Sequence, residues 1–433
     1  MKNKKSSNIR YKTILDRFRN NSLIENIFSL SILNGLNLIL PLVTIPYLVA
    51  TVGSSHYGIY SIVYSIVQYA LLVSNYGFSY TSTKQIAQNR ENIDTISWIF
   101  SSTILAKIIL STISIIVCAG IVYFFFPNYM LVYLLGLGII IGDIINPVWL
   151  FQGMENMKYL TVSNGVAKIL FTLLIFVFVK ESDDYIYIIL LNSIGCMTGG
   201  IVSFFVSKSV FHIKLKYVSI KDAWKQIKEG EVVFFSTVFS NFFNNSFVVI
   251  LGLFVSESGV GIYAAVDKII KAAKILVDPI SNALFPHVSR IFKGNRNNEN
   301  VNRLFHYGKI VGCILLLITI IIDIAAPLIC NIFLKSIAED SIMMIRLLSP
   351  VIVLGGLNYV FGVVGLINLG NQKTWLKNLF ISSLTGIIFL IIMVKSIDIM
   401  AAVVGAIAAE STLFIITMFK LNKLKKEDCI CRL

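Results

Sequence analysis

The stretch Tyr307 to Ile332, YGKIVGCILLLITIIIDIAAPLICNI, holds Lys309 near its start and Asp323 farther on as its only charged residues. About 20 apolar residues cross the hydrocarbon of a bilayer as a helix. The run lacks the alternation of a barrel strand, and in oil a helix pairs every backbone N–H and C=O within its own segment. Working outward, similar runs follow one another from Asn26 to Phe419, separated by short polar breaks. The pattern predicts helices over roughly 26–50, 58–78, 97–123, 130–150, 160–179, 186–207, 232–255, 260–285, 307–332, 345–369, 376–394 and 399–419. The expected fold class is an all-α integral membrane protein of about 12 transmembrane helices.

Composition agrees with this. The chain has 433 residues, 56% hydrophobic and 14% charged, against roughly a quarter charged in soluble domains. A net charge of +14 points first to the positive-inside rule. With the N-terminus in the cytoplasm, the outside loops hold only Lys180, Lys335 and Lys395, while basic clusters fall inside. Lys2, Lys4, Lys5, Arg10, Lys12, Arg17 and Arg19 form one such cluster, and Lys420, Lys423, Lys425 and Lys426 another. Both suit contact with anionic membrane lipids, and no nucleic-acid partner is expected. The first 25 residues read as too long and polar for a cleaved signal peptide. Cys118, Cys196, Cys313, Cys330, Cys429 and Cys431 are scattered, so neither a disulfide framework nor a metal site is expected. His56, His212, His287 and His306 are dispersed, and no nucleotide-binding or zinc-protease motif occurs. An enzyme is therefore not expected.

The longest inside connection, Lys208 to Glu231, falls at mid-chain and carries Lys208, Lys214, Lys216, Lys221, Lys225 and Lys228. It reads as a basic linker, with an amphipathic surface helix in it, and divides the chain into 1–25 (cytoplasmic N-terminus), 26–207 (helices one to six), 208–231 (linker), 232–419 (helices seven to twelve) and 420–433 (cytoplasmic tail). A short repeat supports two pseudo-symmetric six-helix lobes. Gly58-Ile59-Tyr60 opens the second helix and Gly261-Ile262-Tyr263 opens the eighth. At the same offset Asn37 and Pro41 fall opposite Ser240 and Asn244. Transporters often place their substrate between such repeats.

Helix eight carries Asp267, Lys268, Lys271, Lys274 and Asp278, within one arc of about 120°. A Lys at mid-bilayer costs roughly 2.5 to 3.5 kcal/mol, so this face is expected to meet water. Two readings stand. Lys268, Lys271 and Lys274 can receive an anionic headgroup through charge-assisted hydrogen bonds. Alternatively, Asp267–Lys271 and Lys274–Asp278, each four apart, pair along the helix, and the ends snorkel.

Helix two places Tyr57, Tyr60, Tyr64, Gln68 and Asn75 within an arc of about 80°. This is either a wall that contacts sugar, with Tyr60, Tyr64 and Gln68 at its centre, or in part an interfacial belt. Asn34 and Asn37 of helix one, and Asn241 and Asn244 of helix seven, are candidates for cavity lining or for helix-to-helix hydrogen bonds. Lys107 and Lys168 also lie in spans. Asp143, Asp267, Asp323 and Glu410 are candidates for proton or sodium coupling, with pairing to a neighbouring Lys as the alternative. No other cofactor is expected.

Three segments resemble a known family. GIYSIVYSIVQYALLVSNYGFSYTSTKQIAQNR, Gly58 to Arg90, resembles the second-helix signature of Wzx-type polysaccharide flippases. NPVWLFQGMENMKYL, Asn146 to Leu160, resembles the segment after their helix four, and SNALFPHVSR, Ser281 to Arg290, the end of their helix eight. The resemblance, which covers essentially the whole chain, implies membership of the multidrug, oligosaccharidyl-lipid and polysaccharide exporter superfamily, with two lobes around a central cationic cavity. It implies an oligosaccharide on undecaprenyl pyrophosphate as cargo, moved from the inner to the outer leaflet of the bacterial cytoplasmic membrane by alternating access. The basic cavity residues of the family carry over to Lys268, Lys271 and Lys274. Glycan polymerase and chain-length proteins would be partners. A multidrug antiporter of the same superfamily is the nearest alternative, but such cavities are commonly acidic whereas the helix-eight stripe is net basic. A membrane polymerase or ligase would need a substantial outside loop, and all the outside loops here are short.

Overall fold

The computed structural model describes residues 3–275, 298–334 and 339–430 and a few residues between 284 and 292. Side chains are described within them except at 3–24, 27, 232, 235, 236, 239–245, 275, 298, 299 and 426–430. Among the described residues every regular element is a helix. In order these are α1 (Asn3–Asn75), α2 (Phe78–Gln88), α3 (Ile93–Phe125), α4 (Met130–Ile145), α5 (Val148–Gly153), α6 (Met157–Phe178), α7 (Tyr185–Ser209), α8 (Ile220–Phe254) and α9 (Glu257–Ile275). They continue as α10 (Asn298–Leu334), α11 (Glu339–Leu348), α12 (Pro350–Asn358), a π-helical segment Tyr359–Ile367, α13 (Gln372–Ile397) and α14 (Met400–Ile430).

Nine stretches among the described residues are long and apolar enough to cross a membrane. The first, Phe28–Gln88, has 61 residues, about three times what one crossing needs. It bends at Gly53, where φ 78 and ψ 165 lie in a region that glycine enters at little steric cost. The expected outside loop 53–57 is thus a one-residue kink, and helix resumes at once. With this stretch counted twice and α8 and α9 added, the fold is an all-α membrane fold of about twelve helices. Exposure confirms the solvent. Ile116, Phe124, Ile324, Ile392 and Phe419 are each more than 60% exposed, a display of apolar surface that water would not tolerate but acyl chains would.

The chain forms two compact units: Met1–Leu40 with Val67–Val179 and Ile186–Thr237, and Pro41–Ile66 with Lys180–Tyr185 and Val238–Leu433. In the first unit, Ile86, Ile96, Ile99, Phe100, Trp149, Leu150 and Ile213 form a buried cluster beneath α2, α3 and α5. The basic linker has no regular structure from 212 to 219, and its second half is continuous with the seventh span as α8. A reciprocal cap starts that helix. The Ser219 backbone N–H donates to Asp222 Oδ2 at 2.8 Å and the Asp222 N–H donates to Ser219 Oγ at 3.3 Å. Donation from the Ser219 backbone and hydroxyl holds the Asp222 carboxyl below its usual range.

In the second unit the two repeat glycines meet. A Cβ at Gly58 would overlap the Glu257 carbonyl oxygen, and a Cβ at Gly261 would overlap that of Ser54. Ser54 Oγ and Ser258 Oγ share a hydrogen bond of 2.6 Å. The contacts are reciprocal, as a local two-fold relation between helices two and eight requires.

Candidate functional site

Helix eight, seen as α9, is less apolar than the nine spans because of its charges, and the helix geometry sorts them. With Asp267 at 0°, Lys271 lies at about 40°, Lys274 at about −20° and Lys268 at about 100°. The structure follows this division. Asp267, Lys271 and Lys274 line a cavity inside the second unit together with Tyr263, Ser382, Ser383 and Glu410, whereas Lys268 turns to the tyrosines of helix two.

Every charge in the cavity has a partner. Lys271 Nζ lies 2.6 Å from Asp267 Oδ2, the expected pair four residues apart. Lys274 donates to Glu410 Oε1 at 2.9 Å, and Asp278, the other partner considered for it, lies outside the described residues. Asn358 then donates to Glu410 Oε2 at 2.7 Å and to its carbonyl oxygen at 3.0 Å. Asn358 closes α12, where the π-helical segment begins, an irregularity common at functional sites. Nothing in the apolar run around Asn358 marked it beforehand.

Lys268 is in none of the ion pairs among the described residues. Its ammonium donates to Tyr57 Oη at 2.9 Å and sits 5.2, 5.5 and 5.7 Å from the ring centroids of Tyr57, Tyr60 and Tyr64. All three distances are within cation–π range. Spacing of three and four residues puts the rings on one helix face. Tyr60 and Tyr64 stack at 5.6 Å and Tyr57 and Tyr60 tilt at 5.9 Å. Of the three amines of the stripe, Lys268 alone has a charge that no described carboxylate balances.

The first unit holds a separate polar cluster. Lys107, 1% exposed, donates to Asp143 Oδ2 at 2.7 Å, to the Asp143 carbonyl at 2.6 Å and to Asn75 Oδ1 at 3.2 Å. Trp149 presents its ring face 5.1 Å away. Lys168 donates to Asn37 Oδ1. Asn34 is exposed and Gln68 half-buried, and the side chains of Asn241 and Asn244 lie outside the described residues. Asp323 accepts from the Ser349 hydroxyl at 2.6 Å.

Two of the three motif segments meet in the first unit, and most of the third, 281–290, lies outside the described residues. Arg90 donates through Nε to the Gly153 carbonyl and through Nη2 to Glu155 Oε1, both at 2.7 Å. Asn26 bridges the Glu155 carbonyl and the Met157 N–H. Thr83 donates to Gln152 Oε1 at 3.2 Å. The Ala-Gln-Asn-Arg and Phe-Gln-Gly-Met-Glu stretches are thus two sides of one clasp, which explains their joint presence as architecture.

Comparison with known proteins sharpens this. Residues 23–292 match the model of the polysaccharide biosynthesis protein family. The chain is 26% identical over 374 residues to the "Putative O-antigen transporter" of Escherichia coli (strain K12), covering 85% of this chain and 89% of the relative. It is 27% identical to the protein of the same name from Shigella dysenteriae, over 62% of this chain and 67% of the relative. Among solved structures, an inward-facing multidrug resistance MATE family transporter of the MOP superfamily has a TM-score of 0.68 at 15% identity, covering 90% of this chain and 99% of that one. Lipid II flippase MurJ in an inward closed conformation has 0.66 at 16%, covering 94% and 91%. The folds of drug transporter and flippase are equally near, so sequence, not fold, separates them. With its family model matched over more than half the chain and two of its three motifs joined in one clasp, this chain belongs to the polysaccharide biosynthesis protein family, as a Wzx-type member.

Proposed function

We propose that the protein flips undecaprenyl-pyrophosphate-linked oligosaccharide from the cytoplasmic to the outer leaflet by alternating access, with Lys268 as the first cation to meet the pyrophosphate. The observation that carries this reading is that no described carboxylate balances the charge of Lys268, which bonds Tyr57 Oη instead. Burying an ammonium without a carboxylate is costly, and a phosphate oxygen offers it a stronger, charge-assisted partner than a phenol does. Lys271 and Lys274 join once the phosphate competes with Asp267 and Glu410. The freed carboxylates then take up a proton or sodium ion, which links cargo movement to an ion gradient. Asp143, already held by Lys107, and Asp323 are secondary candidates for that coupling. Lys268, Lys271 and Lys274 form the headgroup site, and Tyr60 and Tyr64 contact the sugar.

In this reading residues 26–207 and 232–419 are the two moving lobes and 208–231 connects them. The protein works without catalysis in the bacterial cytoplasmic membrane with both termini inside, beside glycan polymerase and chain-length proteins. The O-antigen transporter names of the E. coli and Shigella relatives support it. A multidrug antiporter is the second reading, supported by the MATE fold and by the two carboxylates in the second-unit cavity. Complementation of a deletion strain separates them. Lys268→Gln should lower surface glycan about tenfold or more, in keeping with a lost charged hydrogen bond of about 1.5 to 3 kcal/mol, and should trap lipid-linked oligosaccharide on the cytoplasmic leaflet. Lys268→Arg should retain much of the output. Wild-type glycan from a stable Lys268→Gln/Lys271→Gln protein refutes the headgroup role.

A further inference from the structure

We infer that Lys268 and the tyrosines of helix two form one composite site for a sugar 1-phosphate junction, in which the amine covers the rings until phosphate withdraws it. The inference rests on the flippase reading and narrows it, because it names the sugar bonded directly to phosphate as the part of the cargo that is recognised.

The geometry sets out two exclusive states. In the state seen, the ammonium lies within 5.7 Å of three ring centroids, and Tyr57 and Tyr60, 0% and 5% exposed, are closed to a ligand. Its hold is weak. The rings are neutral and attract the cation only through their quadrupoles, and the single phenol bond is to a neutral oxygen. A phosphate dianion outcompetes that set through paired charge. When it does, the departing amine uncovers Tyr60 and Tyr64, whose rings are already stacked along the helix.

A hexose ring has apolar C–H faces that stack on aromatic rings and hydroxyls that need polar partners. Both are present at these turns. The Ser61 hydroxyl, 3% exposed and one turn beyond Tyr57 on the same face, has no hydrogen-bond partner among the described residues, although buried hydroxyls are nearly always bonded. Cation and aromatic face lie on two helices that cross at Gly58 and Gly261, so the phosphate and its sugar can engage both at once. A free phosphate engages only the amine.

The test uses the full chain in lipid nanodiscs with its lysines reductively ¹³C-methylated, a change that keeps their charge. The Lys268 methyl signal, identified by its loss in Lys268→Gln, should be shifted upfield by the three rings. Inorganic phosphate and glucose 1-phosphate should each move it to the position of an ordinary lysine. Glucose 1-phosphate should bind about tenfold more tightly than phosphate in the wild type, and Tyr64→Leu should remove that preference without weakening phosphate. Tyr64→Phe, which keeps the ring, should preserve it. Equal affinity of the wild type for the two ligands overturns the composite site and leaves the headgroup reading intact. A Lys268 signal that neither ligand moves overturns both.

Discussion

Single residues in the spans differ in what surrounds their charge. Lys107 is 1% exposed and its partner Asp143 is 24% exposed, with Asn75 and the Trp149 face completing the shell. Removing one partner of such a pair leaves an uncompensated buried charge, which costs about 3 to 5 kcal/mol, whereas replacing both by apolar groups of similar volume is often neutral. Asp143→Leu should therefore lower thermal stability in detergent sharply, and Lys107→Met/Asp143→Leu should recover most of the loss. If the double variant recovers stability but not transport, the pair serves function beyond anchoring α3 to α4.

At the scale of elements, the crossing of helix two with α9 is set by backbone. The atoms that a Cβ at Gly58 or Gly261 would meet are carbonyl oxygens and peptide nitrogens, which cannot swing aside as a side chain can. Gly58→Val should destabilise by about 2 kcal/mol or more, while Gly120→Ala, where nothing lies within 4 Å, should be neutral or gain up to about 1 kcal/mol. Chemical denaturation of the purified variants checks both. The Ser54 and Ser258 hydroxyls, 2.6 Å apart, place two Cβ atoms near disulfide reach. A Ser54→Cys/Ser258→Cys protein, cleaved at a protease site placed in 211–219, should run as one band on a non-reducing gel and as two on reduction. If the helices part during transport, oxidation should stop glycan export and reductant should restore it.

For the whole molecule, the distribution of charge decides orientation. Lys214 and Lys216 lie within the irregular 212–219 segment and Lys221 just after it, whereas residues 181–184 at the other end of α7 carry three acidic residues. Positive-inside orientation then requires that, in a cysteine-free background, Ser182→Cys react with an impermeant maleimide on intact cells and Ser219→Cys react only after permeabilisation. The reverse pattern would invert the direction of flipping. The apolar exterior, with Ile324 at 76% exposed and Phe124 at 78%, gives the reason that no rearrangement in water substitutes for insertion: these side chains have no protein to pack on.

Helix, bilayer and family were legible in the chain alone, because in hydrocarbon each backbone group must be bonded within its own segment and composition over about 20 residues suffices to show it. The Asp267–Lys271 pair was also legible, since one helical turn fixes it. The partners that define the site were not. Tyr57 lies 211 residues from Lys268, Glu410 136 residues from Lys274, and Asp143 36 residues from Lys107, so no local period joins them. Only the tertiary fold decided that one amine of the stripe faces aromatic rings while two face carboxylates, because an angular offset of about 60° or more on one helix changes meaning with whichever helix packs against it.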